Sequence, residues 1–82
     1  NPFNGETIIS YAIPKDGFVN ISIFIVAGQF IVNLVNDYQL PGEQKVFWNT
    51  KDETGNDVPS GIYYYVVSNG IYKEARTMTL LK

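Results

Sequence analysis

Histidine and cysteine are both absent from this chain of 82 residues. That removes the usual general base, the thiol nucleophile and most ligands for transition metals. Serines are present, but none can be activated by a histidine of the same chain. Carboxylates are the remaining candidates. Asp52, Glu53 and Asp57 cluster in one stretch, while Asp16 and Asp37 stand apart. Two carboxylates cleave a glycosidic bond only when held across a cleft, and so short a chain has little room for one. The chain therefore reads as a protein without catalysis and without a cofactor.

The run Asp52-Glu53-Thr54-Gly55-Asn56-Asp57 also invites a calcium reading, since hard cations take clustered oxygen ligands. Its spacing is not that of an EF-hand loop. The favoured reading is a polar turn, in which Asp52 and Asn56 bond nearby backbone and Gly55 takes a positive φ. Asn20-Ile21-Ser22 fits the N-glycosylation pattern, but it falls inside a strand pattern and reads as an outward polar pair. Tyrosines and phenylalanines could form a binding platform. Tyr63 and Tyr65 are assigned to the core. Phe18, Phe24, Phe47 and Tyr64 fall on nominally outward positions, which marks either a contact surface or a face covered by the chain itself.

The elements that must carry these residues are strands. Thr7 to Ile13 alternates, with Ile9, Tyr11 and Ile13 on one face. Pro14 to Gly17 is a turn, with proline presetting φ and Gly17 accepting a positive one. Val19, Ile21, Ile23 and Ile25 give the cleanest alternation, and Ala27-Gly28 ends it. A third strand is expected over Phe30 to Val35, where Ile31 and Leu34, three apart, need a bulge or a register choice. Asn36 to Gly42 reads as a loop, Lys45 to Asn49 as a strand, Gly61 to Ser68 as another. Asn69-Gly70 is a two-residue hairpin signal, and Tyr72 to Leu81 is the last strand. Asn1 to Glu6 reads as an opening loop. Gly42 to Tyr65 is expected to be a hairpin-like pair: Val46 and Trp48 share one face, Tyr63 and Tyr65 another. Short strands with turn chemistry between them predict an all-β, antiparallel sandwich of about seven strands in one domain, 1–82.

Apolar residues make up 45% of the chain and charged ones 17%, which excludes disorder. A net charge of -2 gives no support to nucleic-acid binding or to a polybasic membrane anchor. No apolar run reaches the length of a transmembrane segment. The start at Asn1 is read as a cut from a longer precursor carrying its export signal upstream.

Taken in order, several motifs resemble one family. Asn1-Pro2-Phe3-Asn4, Thr7-Ile8-Ile9-Ser10-Tyr11-Ala12-Ile13-Pro14, Gly17 and Val19 are similar to the opening of the C-terminal sorting domain (type A) of the type IX secretion system. Ala27-Gly28, Ile31 and Leu34 fit its middle. Gly42, Val46, Trp48-Asn49, Asp52, Gly55, Val58-Pro59-Ser60-Gly61 and Tyr63 fit its later part, and Met78-Thr79-Leu80-Leu81-Lys82 its ending. The Gly42 to Tyr65 stretch also resembles the immunoglobulin-like module of flagellar hook-capping proteins; the two chain ends favour the sorting domain.

This resemblance implies an immunoglobulin-like sandwich that addresses an exported cargo to an outer-membrane translocon of a Gram-negative bacterium, for release or attachment at the cell surface. Its implied partners are the translocon and sorting proteins and an upstream cargo domain. Lys73, Arg76 and Lys82 are then the expected basic contacts, with Met78, Leu80 and Leu81 anchoring the terminal strand and Phe47 and Tyr64 free to meet a partner. Two departures stand out. Phe24 is followed by Ile25 where the family carries a polar residue. Thr77 holds the place of a lysine, with Arg76 one position earlier and so on the other strand face. The alternative reading is a structural module that self-associates through edge strands or outward aromatics into an oligomer or filament.

Overall fold

The computed structural model describes residues 2–3, 7–70 and 72–82. Seven strands follow one another: β1 (Pro2–Phe3), β2 (Thr7–Ile13), β3 (Gly17–Ile25), β4 (Phe30–Gln39), β5 (Gly42–Trp48), β6 (Gly61–Asn69) and β7 (Tyr72–Leu80). They form a five-stranded sheet in the order β1-β7-β6-β3-β4 and a two-stranded sheet of β2 and β5. Pairing is antiparallel except between β1 and β7. The all-β sandwich expected from the alternation is the architecture found.

Its core lies between the sheets. Ile9 and Trp48 of the small sheet pack with Ile23, Tyr63, Met78 and Leu80 of the large one. Toward the other end, Ile13 meets Val19, Ile21, Val35 and Val67. The period-2 pattern of β2 and β3 explains this directly, since every second side chain is apolar and points inward.

Four expectations need correction. The opening stretch is not all loop: Pro2 and Phe3 pair with Thr79 and Leu80 as β1, and the other residues assigned to that loop, 1 and 4–6, lie outside the described set. The third strand runs on to Gln39 rather than ending at Val35. Asn36, Asp37 and Tyr38 pair with Asn20, Val19 and Phe18, and main-chain pairing overrides their polar composition. Gly17 does not use a positive φ; a Cβ there would stand 2.5 Å from Asn69 Oδ1, so a larger residue would displace that side chain. That asparagine donates from Nδ2 to Lys15 O (2.9 Å) and ties the β2–β3 turn to the end of β6.

The fourth correction concerns Gly42 to Tyr65. β5 and β6 do not pair. β5 is bonded to β2, and β6 lies between β3 and β7. The polar connection 49–60 is an arch from one sheet to the other. Its shape comes from its own bonds. Asp52 Oδ1 accepts from Thr54 N (3.0 Å), Thr54 Oγ1 (2.9 Å) and Asn56 N (3.0 Å), and Gly55 takes φ +89°. The Trp48 indole donates to Lys51 O (3.0 Å), and Tyr63 Oη donates to Pro59 O (2.6 Å). The latter is the upstream main-chain bond of a tyrosine corner, a feature of immunoglobulin-like sandwiches. Both core aromatics thus reach the arch with their polar ends.

The bulge question in β4 resolves as two bulges. Partners step from Val35 to Asn33 opposite Ile21 and Ser22, and from Val32 to Phe30 opposite Ile23 and Phe24. Leu34 and Ile31 are the extra residues, and both pack against the core. Asn33 Nδ2 lies within bonding distance of Ile21 O (3.2 Å), Ser22 Oγ (3.1 Å) and Val35 O (3.2 Å), bridging the irregular ladder.

Candidate functional site

The terminal strand β7 pairs with β6 along its whole length, from Asn69↔Tyr72 to Gly61↔Leu80. Even-numbered residues face the interior. Met78 (4% exposed) and Leu80 (fully buried) belong to the core, so they fasten the strand and offer nothing to a partner directly. Leu81, just beyond the strand, is exposed. The main-chain nitrogen of Lys82 donates to Ser60 Oγ (2.9 Å), and its Nζ stands 4.0 Å from Asp57 Oδ1, which Lys51 also engages at 2.8 Å. Leu81 and Lys82 therefore sit beside the arch.

Lys73 and Arg76 do not share a surface. Lys73 is odd-numbered and faces outward; Arg76 is even-numbered and lies on the inner face, yet is exposed. Arg76 is bonded to Glu74 through Nε (2.9 Å) and Nη2 (2.7 Å), and Tyr72 Oη donates to the other Glu74 oxygen (2.8 Å). Hydrogen bonds from Tyr72 and Arg76 hold the Glu74 carboxyl below its usual range, and the same carboxylate raises Tyr72 and Arg76. The three expected basic contacts thus fall in three places, with Arg76 already paired to Glu74 and Lys82 to Asp57.

The two outward aromatics also lie on opposite sides of the sandwich. Phe47 is exposed beside Ile8, its cross-strand partner, on the outer face of the small sheet. Tyr64 lies on the outer face of the large sheet, half-buried and stacked on Phe24 (centroids 5.2 Å, 15°). Phe30 meets Phe24 edge-on (5.9 Å, 74°) and, with Ile62, remains exposed. Phe18 is exposed at the far end of this face, beside Tyr38, whose hydroxyl bonds Asp16. Between these ends runs a polar ladder in which Ser22 Oγ donates to Asn20 Oδ1 (3.1 Å) and Asn20 Nδ2 to Asn36 Oδ1 (3.3 Å). Asn20 and Ser22 are the outward polar pair that the sequence suggested.

In the arch, Asp52 is occupied by turn bonds, which hold its carboxyl below the usual range. Among the described residues, no three acidic side chains are grouped to hold a metal ion.

One feature escaped the sequence reading. A groove runs between β2 and the strands β6 and β7 of the large sheet. One section is lined by Thr7 to Ser10 with Tyr65 and Ala75 to Met78, the next by Ser10 to Ala12 and Glu43 to Lys45 with Tyr65, Val67 and the Tyr72-Glu74-Arg76 cluster. Its signal in the sequence was the absence of any charged residue between Thr7 and Ile13.

No protein-family model matches the chain, and no curated protein matches it in sequence. Solved structures do match its fold. FlgD from P. aeruginosa superposes with a TM-score of 0.73 at 21% identity, over 90% of this chain and 57% of that one. FlgD from Xanthomonas campestris, described in terms of the hook capping essential for flagellar assembly, gives 0.70 at 24%, over 92% and 55%. PorZ, an essential bacterial surface component of the type IX secretion system of Porphyromonas gingivalis, gives 0.57 at 17%, over 92% of this chain and 11% of that one. The chain thus spans little more than half of either FlgD chain. In fold it is related to both modules that its sequence resembles, the immunoglobulin-like domain of hook-capping proteins and a domain of the type IX secretion system.

Proposed function

We propose that this chain is a non-catalytic sorting and cell-surface attachment domain, recognised as a folded β module by the type IX translocon with its cargo upstream. The observation that carries this reading is the construction of β7. Its buried Met78 and Leu80 make the terminal strand integral to the fold, while Leu81 and Lys82 project beside the arch. A partner that reads this end therefore reads a folded domain. The fold shared with a region of PorZ supports the same reading, as does the order of motifs at both ends of the chain. On this reading the domain works outside the cytoplasm, by contact alone.

The test is export of a passenger fused to the domain. Deleting 77–82 removes core residues as well as contacts, so the sharper variant is Leu81→Ser with Lys82→Ser, which leaves Met78 and Leu80 in place. Surface delivery should fall about tenfold or more, the scale of losing one or two well-buried contacts at an interface, while the melting temperature stays within a few degrees of the parent. Unchanged delivery by this folded variant refutes the role of the chain end.

A second reading is favoured by a specific observation, the exposed Phe30 and Ile62 around the Phe24–Tyr64 stack. Such a patch fits self-association of a structural module. Light scattering after size exclusion decides it: a monomer at high concentration removes this reading, and an oligomer that Ile62→Thr, at an exposed position of the patch, dissociates establishes it.

A further inference from the structure

We infer that Asn69 is a site of spontaneous deamidation, held unreacted by its clamp on the β2–β3 turn, and that its reaction releases that turn. The inference does not rest on the sorting reading. Asn4 and Asn69 are the two asparagines followed by glycine. Glycine has no side chain to shield its own amide nitrogen, so that nitrogen can attack the asparagine carboxamide, and asparagine is thermolabile through this reaction. Asn69 is half-buried at the end of β6 and Gly70 is exposed, so water reaches the pair.

The step needs only water. The Gly70 nitrogen gives up its proton and bonds to Asn69 Cγ; the Cγ–Nδ2 bond breaks, and Nδ2 leaves as ammonia with that proton. A water molecule then opens the cyclic imide at one carbonyl or the other, leaving aspartate or isoaspartate. For the first bond to form, Cγ must turn back toward the nitrogen of its own successor. The structure holds it elsewhere. Nδ2 donates to Lys15 O at 2.9 Å, across 54 residues of sequence. The carboxamide lies against Gly17: a Cβ built there would stand 2.5 Å from Oδ1, 3.5 Å from Cγ and 4.0 Å from Nδ2. The bare Gly17 is thus the seat of the amide. Main-chain pairing holds Asn69 on both sides, to Val19 of β3 and to Tyr72 of β7.

The product cannot keep the clamp. A carboxylate has no proton to donate to Lys15 O and sets an oxygen against it. Isoaspartate also lengthens the main chain at the end of β6, where the hairpin to β7 begins. The turn 14–16, which Asn69 ties to β6, then loses that tie, and the change is one-way.

The test follows the reaction by peptide mass spectrometry in the chain kept at mildly alkaline pH, folded or in concentrated urea, where Asn4 and Asn69 together calibrate the unhindered rate. Folded, Asn69 should react about tenfold or more slowly than in urea, as a group that reacts only on local opening does. Gly17→Ala, which unseats the amide, should raise the folded rate about fivefold, the factor of one net hydrogen bond, in a protein that still melts cooperatively. Pro14→Gly loosens the same turn without adding bulk; it should move the rate the same way, and it decides the point if Gly17→Ala does not fold. Asn69→Asp carries the charge of the product and should quicken amide hydrogen exchange at Lys15 to Gly17 by about tenfold. Equal rates for Asn69 folded and in urea, a folded rate that the turn variants leave unchanged, or unchanged exchange at the turn in Asn69→Asp would each overturn the inference.

Discussion

β5 and β6 look alike in sequence and do different jobs. Each is a short β-prone run with aromatics two apart from another large apolar residue, and a polar stretch joins them. β5 forms one half of a two-stranded sheet with β2. β6 is flanked by β3 and β7 and pairs along its length on both sides. Trp48 and Tyr63 meet across the sandwich, edge-on at 5.7 Å and 68°. The shared aromatic character therefore reflects a common core seen from two sheets, not a common ladder. Connection length does not decide a strand's neighbours: two residues separate β6 from its partner β7, whereas the equally short connection 40–41 and the arch 49–60 both carry the chain from one sheet to the other.

The largest expected effect tests this division at its centre. Tyr63 is fully buried on the middle strand. Tyr63→Ala should cost about 3–5 kcal/mol in urea unfolding, the range for removing a buried aromatic ring. Val46→Ala, its half-buried counterpart on β5, should cost about 1 kcal/mol. Equal losses at the two positions would undo the distinction between a central strand and an edge. Tyr63→Phe isolates the hydroxyl. It removes the bond to Pro59 O and should cost about 1 kcal/mol, without changing the slope of the unfolding curve.

These distinctions mark what could be read beforehand. Ile9, Ile13, Val19, Ile21 and Ile23 were legible because a period of two on an amphipathic strand has one solution. Trp48 and Tyr63 were legible as core for the same reason. The pairing of β5 was not, because it depends on β2, about 35 residues earlier, and no local signal in Gly42 to Trp48 names that partner. The end of β4 was missed because Asn36 and Asp37 weigh against a strand until β3 is there to pair with them. The site was harder still. Lys73, Arg76 and Lys82 are close in sequence, but alternation and the strand's end separate them in space. The groove beside β2 was visible only as an absence of charge from Thr7 to Ile13, which gains meaning once the sheet order gives that strand β5 as its partner in a two-stranded sheet.

The arch gives a smaller, pH-dependent effect. Asp52 bonds Asn56 N and Thr54, and these bonds depress its folded-state pKa. A depressed carboxylate contributes stability above its unfolded pKa, and that contribution disappears as pH falls through the folded value. Stability should therefore decline on the acid side of the usual carboxylate range. Asp52→Asn should flatten part of that decline. Asp57, lowered by Lys51, and Glu74, lowered by Tyr72 and Arg76, maintain the rest. Urea midpoints measured down an acid series for both proteins give the comparison. An identical acid limb would mean that the turn bonds form equally well with a neutral side chain.

The smallest expected change in stability is at Phe47. It projects from the outer face of β5 with half its surface in water, and its cross-strand neighbour Ile8 is more exposed still. An exposed pair of this kind contributes only a few tenths of a kcal/mol to about 1, and threonine keeps the β propensity of the position. Phe47→Thr should therefore shift the unfolding free energy by about 0.5 kcal/mol or less. A loss approaching that of Tyr63→Ala would mean that the outer face of the small sheet is covered in solution. The same variant then separates two uses of the strand. If β5 serves only to hold Trp48 and Val46 against the large sheet, Phe47→Thr is neutral in every assay. If its outer face meets a partner, stability stays constant while binding or self-association falls. That split is unavailable on β6, where Tyr64 is tied to Phe24 and any change of contact is also a change of packing.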